Sequence, residues 1–372
     1  MNVLVTDGIM KKSLAVVRTI APHTSRTGVI SSYRISMAGV SRHVDRQHQI
    51  DRSEPLEYVR SLNDVIDRFG YEYLLPVGGW ATRALVVHRS ELAPDIEVVL
   101  PDRAAMRTAQ RKWETYRLAK RLDVPTPGTA QVTSLADEQR MIDEYGFPLV
   151  IKPPTESAPK YVEYAESAVE LQNKIKTYRR RYDTDPLVQE YLPGDGCGFF
   201  ALYLDGDCAE SYTHTRIRES PPSGGISTCA ESKQSAQLRD PGRLLLDTLD
   251  WNGPAMVEFK RDADDTPNLI EINPKLWGSL DLGIASGLDF PSALLRYMAA
   301  DELPEFVFQP HRFHWPLSGD LQHAYHRPRA APAVVRDFLS DGTASNLSAD
   351  DPFPHVLEAA KGVLSPFVSE HA

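Results

Sequence analysis

The chain has 372 residues, enough for two or three domains of about 150 residues each. Its 42% hydrophobic and 25% charged residues sit close to globular averages, which excludes disorder and fibrous repeats. With 41 Lys and Arg against 51 Asp and Glu, the formal net charge is −10, a field that disfavours nucleic acid and anionic membrane surfaces. The cysteines Cys197, Cys208 and Cys229 lack CxxC spacing, so neither a disulfide scaffold nor a thiolate zinc site is expected. No stretch reaches the roughly 20 apolar residues of a membrane span, and no signal peptide is expected, so a cytoplasmic location is.

In chain order, Val3-Leu4-Val5 reads as a strand, Thr6-Asp7-Gly8 as a turn, and Leu14, Ala15 and Val17 as one face of a helix. Val29 to Ile35 is the next expected strand. Glu54 to Phe69 is helical, with Gly70 as its C-cap, and Tyr73 to Val77 is again a strand. Ala81 to Leu92 is helical and Val98 to Leu100 extended. Asp102 is placed as N-cap of one long helix over Ala104 to Arg121. This alternation predicts a Rossmann-like α/β unit over residues 1–103, yet Gly8 alone does not make the GxGxxG fingerprint of a dinucleotide site. The prolines of Asp123-Val-Pro-Thr-Pro127 end the helical run.

Beyond that break, Pro148-Leu-Val-Ile-Lys-Pro153 reads as a buried strand that holds Lys152 rigidly at its end, where it can meet a phosphate. Ser167 to Tyr182 is helical. Leu187 to Tyr191 is a strand leading into a glycine-punctuated turn, where free backbone groups could read the edge of a purine. Met256 to Phe259 and Leu269 to Ile272 flank a turn and form a hairpin. Placing Glu258 across from Glu271 sets Lys260 opposite Leu269, and period two puts the oxygens of Glu258, Glu271 and Asn273 on one face. Two like charges side by side need a cation, and carboxylates with an amide oxygen suit Mg²⁺; an exposed acidic sheet face is the other reading. Arg216 and Arg218, two apart on a strand, are expected on one face. The segment from Pro310 to Pro328, with His311, His314, His323 and His326, reads as irregular surface and not as a metal site.

Taken in order, Lys112 with Val124-Pro-Thr-Pro127, Pro148 to Pro153, Val188-Gln-Glu-Tyr-Leu-Pro-Gly-Asp-Gly196, Val257-Glu-Phe259 and Leu269-Ile-Glu-Ile-Asn-Pro-Lys275 resemble the ATP-grasp superfamily, over about residues 104–300. The runs Trp277 to Pro291 and Arg218 to Gly225 look like its carboxylate–amine ligase branch. The resemblance implies a fold that is α/β and α+β. A Rossmann-like N-terminal domain (1–103) would precede an ATP-grasp core of two α+β subdomains (104–186 and 187–300), with a short C-terminal extension (301–372) after it.

It also implies roles. Lys112 and Lys152 would contact the α- and β-phosphates of ATP, and Glu190 and Leu192 would hold adenine through their backbones. Asp195 would take the ribose; Ser157, which the motif does not itself specify, could present its hydroxyl to phosphate. Glu258, Glu271 and Asn273 would hold Mg²⁺ or Mn²⁺. Lys275, in the place where relatives carry Arg, would face the γ-phosphate as a point charge, with Arg216 and Arg218 toward the transferred phosphoryl group or the substrate carboxylate. The implied reaction joins a small-molecule carboxylate to an amine through an acyl phosphate, in a chain expected to be a homodimer. A phosphotransferase and a non-catalytic ATP-binding module are the alternatives. The family's phosphate-covering loop usually contains glycines, whereas Pro153 to Lys160 has none.

Overall fold

The computed structural model describes residues 1–155, 162–221 and 225–368. Four parallel strands open the chain: β1 (Asn2–Val5), β2 (Arg26–Ser31), β3 (Arg46–Gln49) and β4 (Tyr73–Leu75), ordered β3-β2-β1-β4. Helices α1 (Lys11–Ile20), α2 (Pro55–Phe69) and α3 (Gly79–Val87) cover them. Period two divides β1 between two cores. Val3 and Val5 pack with Leu14 and Val17 on one side, while Leu4 packs with Tyr58 and Leu62 on the other, so the sheet is buried on both faces as parallel sheets require. Gly70 caps α2 at φ 63°, a left-handed position that glycine adopts without strain.

Three expectations for this region shift. The second strand spans Arg26–Ser31 and stops short of Ile35. Val98 to Leu100 forms no strand, because only Glu97 pairs, with Tyr73. The single helix expected over Ala104 to Arg121 is two, α4 (Arg103–Gln110) and α5 (Lys112–Arg121). Between them Arg111 is extended, at φ −98° and ψ 97°, and bridges to Thr155. Asp102 does cap α4, accepting from the Ala104 N–H at 2.9 Å.

A small antiparallel sheet follows, from β5 (Thr129–Gln131), β6 (Leu149–Lys152), β7 (Glu163–Ala165) and β8 (Leu187–Glu190) in the order β5-β8-β6-β7. Helices α6 (Leu135–Tyr145) and α7 (Ala168–Tyr182) accompany it. The largest sheet is β9 (Gly196–Leu204), β10 (Asp207–Ser220), β11 (Ile226–Lys233), β12 (Gly253–Arg261), β13 (Pro267–Asn273), β14 (Arg312–His314) and β15 (Thr343–Ser345), ordered β13-β12-β9-β10-β11-β14-β15. Every residue of β9 is buried. Its odd residues Cys197, Phe199, Ala201 and Tyr203 join the core beneath α4, α5 and α8 (Ala236–Thr248), and its even residues join the core shared with β1 and α1. Continuous burial hides the alternation that would mark a half-exposed strand.

After α9 (Leu280–Ala285) and α10 (Phe290–Met298), the C-terminal stretch enters the large sheet through β14 and β15. It therefore carries ordered structure where an irregular surface is expected, and His314 and His323 are both buried. Helices α11 (Leu321–His326), α12 (Ala331–Phe338) and α13 (Phe353–Val368) complete it. Asp351, ahead of α13, accepts from Arg18 at 2.9 Å and Ser41 at 2.7 Å, which ties the end of the chain to its beginning. Phe290 is the hub of the shared core, with its ring 5.4 Å from Trp277 and 6.0 Å from Tyr212. Phe290→Ala is expected to lower stability by about 3–5 kcal/mol through transfer and cavity terms, read as a shift of the urea midpoint; a loss under about 1 kcal/mol would show that the cluster does not bind the two units together.

Candidate active site

β12 and β13 pair so that Glu258 stands opposite Glu271. The expected register fails one step further on, since Phe259 pairs with Leu269 and Lys260 with Asn268. Ile270 is bulged out, and such a bulge re-aims side chains near a site. The Asn273 amide donates to Glu271 Oε1 at 2.9 Å, leaving its oxygen as the donor atom it can offer a cation. Each carboxylate has its own cation. Lys112 at the start of α5 pairs with Glu271, and Arg216 of β10 pairs with Glu258 at 2.8 Å. Burial raises the Glu258 carboxyl, with the Glu271 charge adding to it and Arg216 opposing. Burial pushes Glu271 the same way, but Lys112, Lys275 and Asn273 outweigh it and hold that carboxyl below its ordinary range. The two acids are thus driven apart in proton affinity, as at many functional sites.

The break at Arg111 places Lys112. Its backbone N–H donates to the Pro154 carbonyl at 2.9 Å, anchoring α5 to the loop after β6, and its side chain is 8% exposed. Lys152, at the end of β6, is 5% exposed. It donates to the Tyr116 hydroxyl at 2.6 Å and to Gln189 Oε1. Burial, and then the charge of Lys112, bring its ammonium down to about 7. An anion arriving beside it would reverse that shift.

Arg216 and Arg218 do not share a face. Arg216 pairs with Ala230 of β11 and Arg218 with Cys229, so Ile217 is bulged and the period-two argument breaks there. Arg218 turns away from the carboxylates to Asp320 at 2.6 Å and Asp337 at 2.5 Å. Arg216 stays in the cleft, where it also contacts Glu219 at 3.2 Å.

Two cavities meet at this point. One, about 200 Å³, lies against the small sheet and is lined by Val150, Lys152, Gln189, Glu190, Leu192 and Lys260. The other, about 430 Å³, is lined by Lys11, Lys12, His214, Asn273, Lys275 and Trp277. Lys112, Arg216, Glu258 and Glu271 line both. Glu190 is committed on two atoms, its N–H donating to the Gly128 carbonyl at 2.8 Å and its carboxylate accepting from the Gly128 N–H at 2.9 Å. Asp195 is exposed in the turn between β8 and β9 and lines neither cavity. Ser157 lies outside the described residues.

Sequence reasoning missed the N-terminal contribution. Lys11 and Lys12 open α1 directly after the β1 turn, and Lys12 reaches the Leu276 carbonyl; the Lys-Lys pair at that helix start was the available signal. It also missed His214, two residues before Arg216. Burial holds its imidazole neutral, well below the ordinary histidine range. Among the described residues neither His214 Nε2 nor Arg216 Nε has a hydrogen-bond partner, although both atoms are buried. Such atoms cost free energy unless a ligand satisfies them. No three His, Cys, Asp or Glu side chains converge among the described residues, so a cation here would rest on two carboxylates, one amide and oxygens from its ligand, a set that suits Mg²⁺.

A small antiparallel lobe facing a larger sheet across a lysine-lined cleft, behind a Rossmann-like unit, is the ATP-grasp architecture. Residues 183–314 match the family described as ATP-grasp in the biosynthetic pathway with Ter operon. A D-alanine–D-alanine ligase of Ectopseudomonas mendocina is 26% identical over 214 residues, covering 51% of this chain and 65% of the relative, just under two thirds of its length. The fold is shared with the ADP complex of an N5-carboxyaminoimidazole ribonucleotide synthetase (TM-score 0.67, 12% identity, 98% and 97% of the two chains). An L-amino acid ligase from Bacillus licheniformis shares it too (TM-score 0.60, 13% identity, 84% and 79%). The chain thus resembles an ATP-grasp family over residues 183–314, resembles a D-alanine–D-alanine ligase over about half its length, and shares its fold with ligase and synthetase structures.

Arg218 serves the fold: its removal leaves two buried aspartates without their main counter-charge. Arg218→Met is expected to cost about 3 kcal/mol or more at pH 7. Asp320 and Asp337 titrate below their ordinary value of 3.8 because Arg218, with His314 or Arg312, overcomes their burial. Their contribution is therefore full above that value and is lost as the pH falls through the lowered ones, so the gap between wild type and variant narrows in acid. Urea unfolding at pH 7 and pH 3 measures both; equal stability at pH 7 would return Arg218 to the list of site residues.

Proposed function

We propose that the protein is an ATP-dependent ligase that joins a small-molecule carboxylate to an amine through an acyl phosphate, with domains at 1–103, 104–300 (divided at 186/187) and 301–372. The observation that carries this reading is the Glu258–Glu271 pair at the junction of the two cavities, one suited to a nucleotide and one to an acid. The nucleotide would enter beside Lys152, its adenine against Val150 and the backbone of Glu190 and Leu192. Lys112 and Lys152 would face the α- and β-phosphates, and binding would restore the Lys152 charge. Glu258, Glu271 and Asn273 would hold Mg²⁺ or Mn²⁺, whose chemistry is to neutralise phosphate charge.

Arg216 and Lys275 would then steady the transferred phosphoryl group from the side of the larger cavity. The substrate carboxylate, drawn by Lys11 and Lys12, would attack the γ-phosphorus as the bond to ADP breaks. The amine nitrogen would next attack the acyl carbon, phosphate leaving with the carboxylate's oxygen. Arg216 must leave Glu258, and Lys112 must leave Glu271, for both carboxylates to face a cation. That exchange is open to the long, charged side chains involved.

Release of ADP and phosphate from ATP and Mg²⁺, assayed against pooled carboxylates and amines, is expected to require one of each. It should fall by about a hundredfold or more in Glu271→Ala. With the carboxylate oxygens isotopically labelled, label should appear in the released phosphate. Turnover without an amine would support phosphotransfer to another acceptor, and tight nucleotide binding without turnover in any pool would support the non-catalytic reading.

A further inference from the structure

A third cavity, of about 680 Å³, lies between the Ile217 bulge and the C-terminal helices, and shares no lining residue with the two of the cleft. Arg218, Arg312, Arg327, Arg329 and Arg336 line it, together with His323. Two of these guanidiniums are spoken for: Arg218 by Asp320 and Asp337, and Arg312 by Asp337 at 2.9 Å. Arg327, Arg329 and Arg336 are exposed and have no carboxylate partner among the described residues. In a chain with ten more acidic than basic residues, none of the surplus acid is spent here. Five guanidiniums against two aspartates leave an excess of three positive charges around one hollow, which Ile217 and Ala333 also line.

We propose that this cavity is a binding site for a small molecule bearing two linked phosphate groups, separate from the active-site cleft. Guanidinium forks present paired N–H groups that match phosphate oxygens, and two or three of them around one anion give geometry as well as charge. The excess of three charges corresponds to that of a diphosphate near neutral pH. The bulge links the two sites. Arg216 faces the cleft, Arg218 faces this cavity, and the next residue, Glu219, holds Arg216 through its side chain and accepts from His323 through its carbonyl at 2.6 Å. A ligand that draws on Arg218 or His323 thus touches the strand that aims Arg216.

The test is calorimetric titration of the full chain with inorganic pyrophosphate in metal-free buffer, where occupancy of the ATP cleft is weakest. Three proteins are compared: wild type, the triple variant Arg327→Ala, Arg329→Ala, Arg336→Ala, and Lys152→Ala as a cleft control. All three altered arginines are exposed, so the triple variant is expected to keep the wild-type melting temperature. Pyrophosphate should bind wild type and Lys152→Ala alike and lose about tenfold or more in affinity in the triple variant, with the wild-type affinity falling as salt rises. Absence of binding to wild type, or binding lost in Lys152→Ala and kept in the triple variant, would overturn the proposal. So would an oligonucleotide that binds through the same three arginines more tightly than pyrophosphate does.

Discussion

Two carboxylates held opposite each other on adjacent, otherwise apolar strands are the constraint around which this molecule is arranged. Glu258 and Glu271 cannot both stay ionised in that place without positive charge close by, and each has it in Arg216 and Lys112. Supplying those cations draws on three parts of the chain. α5 must begin at Lys112, which requires the helix to break at Arg111 and its first turn to anchor on Pro154. β10 must carry Arg216 across the sheet, and the hairpin must keep its register up to the bulge at Ile270. Loss of any one would leave a half-buried acid uncompensated, a greater cost than the loss of a surface ion pair.

The same arrangement accounts for the cleft's polarity. Charged groups cluster where the two cavities meet, and each cavity runs outward from that point toward a different chemistry. Toward the small sheet the walls are Val150, Leu192 and buried Lys152, which suits a flat base followed by phosphates. Toward the N-terminal unit they are Lys11, Lys12, Lys275 and Trp277, which suits an organic acid. The Rossmann-like unit thus contributes to the site by its first helix, and the aromatic cluster around Phe290 fixes that helix relative to the large sheet.

Much of this was legible in the sequence because it depends on local pattern. The β1 strand, the Gly70 and Asp102 caps, the Lys152 strand and the facing glutamates all follow from periodicity and turn chemistry. What escaped has a common cause in backbone irregularity. The bulge at Ile217 sends Arg218 to the opposite face, the bulge at Ile270 moves Lys260 from Leu269 to Asn268, and the kink at Arg111 divides a helix whose residues favour continuity. Each is a single residue whose conformation tertiary contacts decide, and period-two or helical reasoning carries no term for it. His214 and the Lys11–Lys12 pair escaped for another reason: they reach the site only through packing between distant segments. The short strand β14 was hidden within a Pro- and His-rich stretch that resembles surface loop, and β15, beyond it, is only three residues long.

The central claim is that the glutamate pair exists to hold a divalent cation. Titration of Mn²⁺ in the presence of ADP, followed by electron paramagnetic resonance, tests it without knowledge of the substrates. The account predicts saturable binding to wild type that weakens about tenfold or more in the Glu258→Gln, Glu271→Gln double variant, which keeps the shape of both side chains. Equal Mn²⁺ affinity in the two proteins would contradict it and reduce the pair to two structural ion pairs.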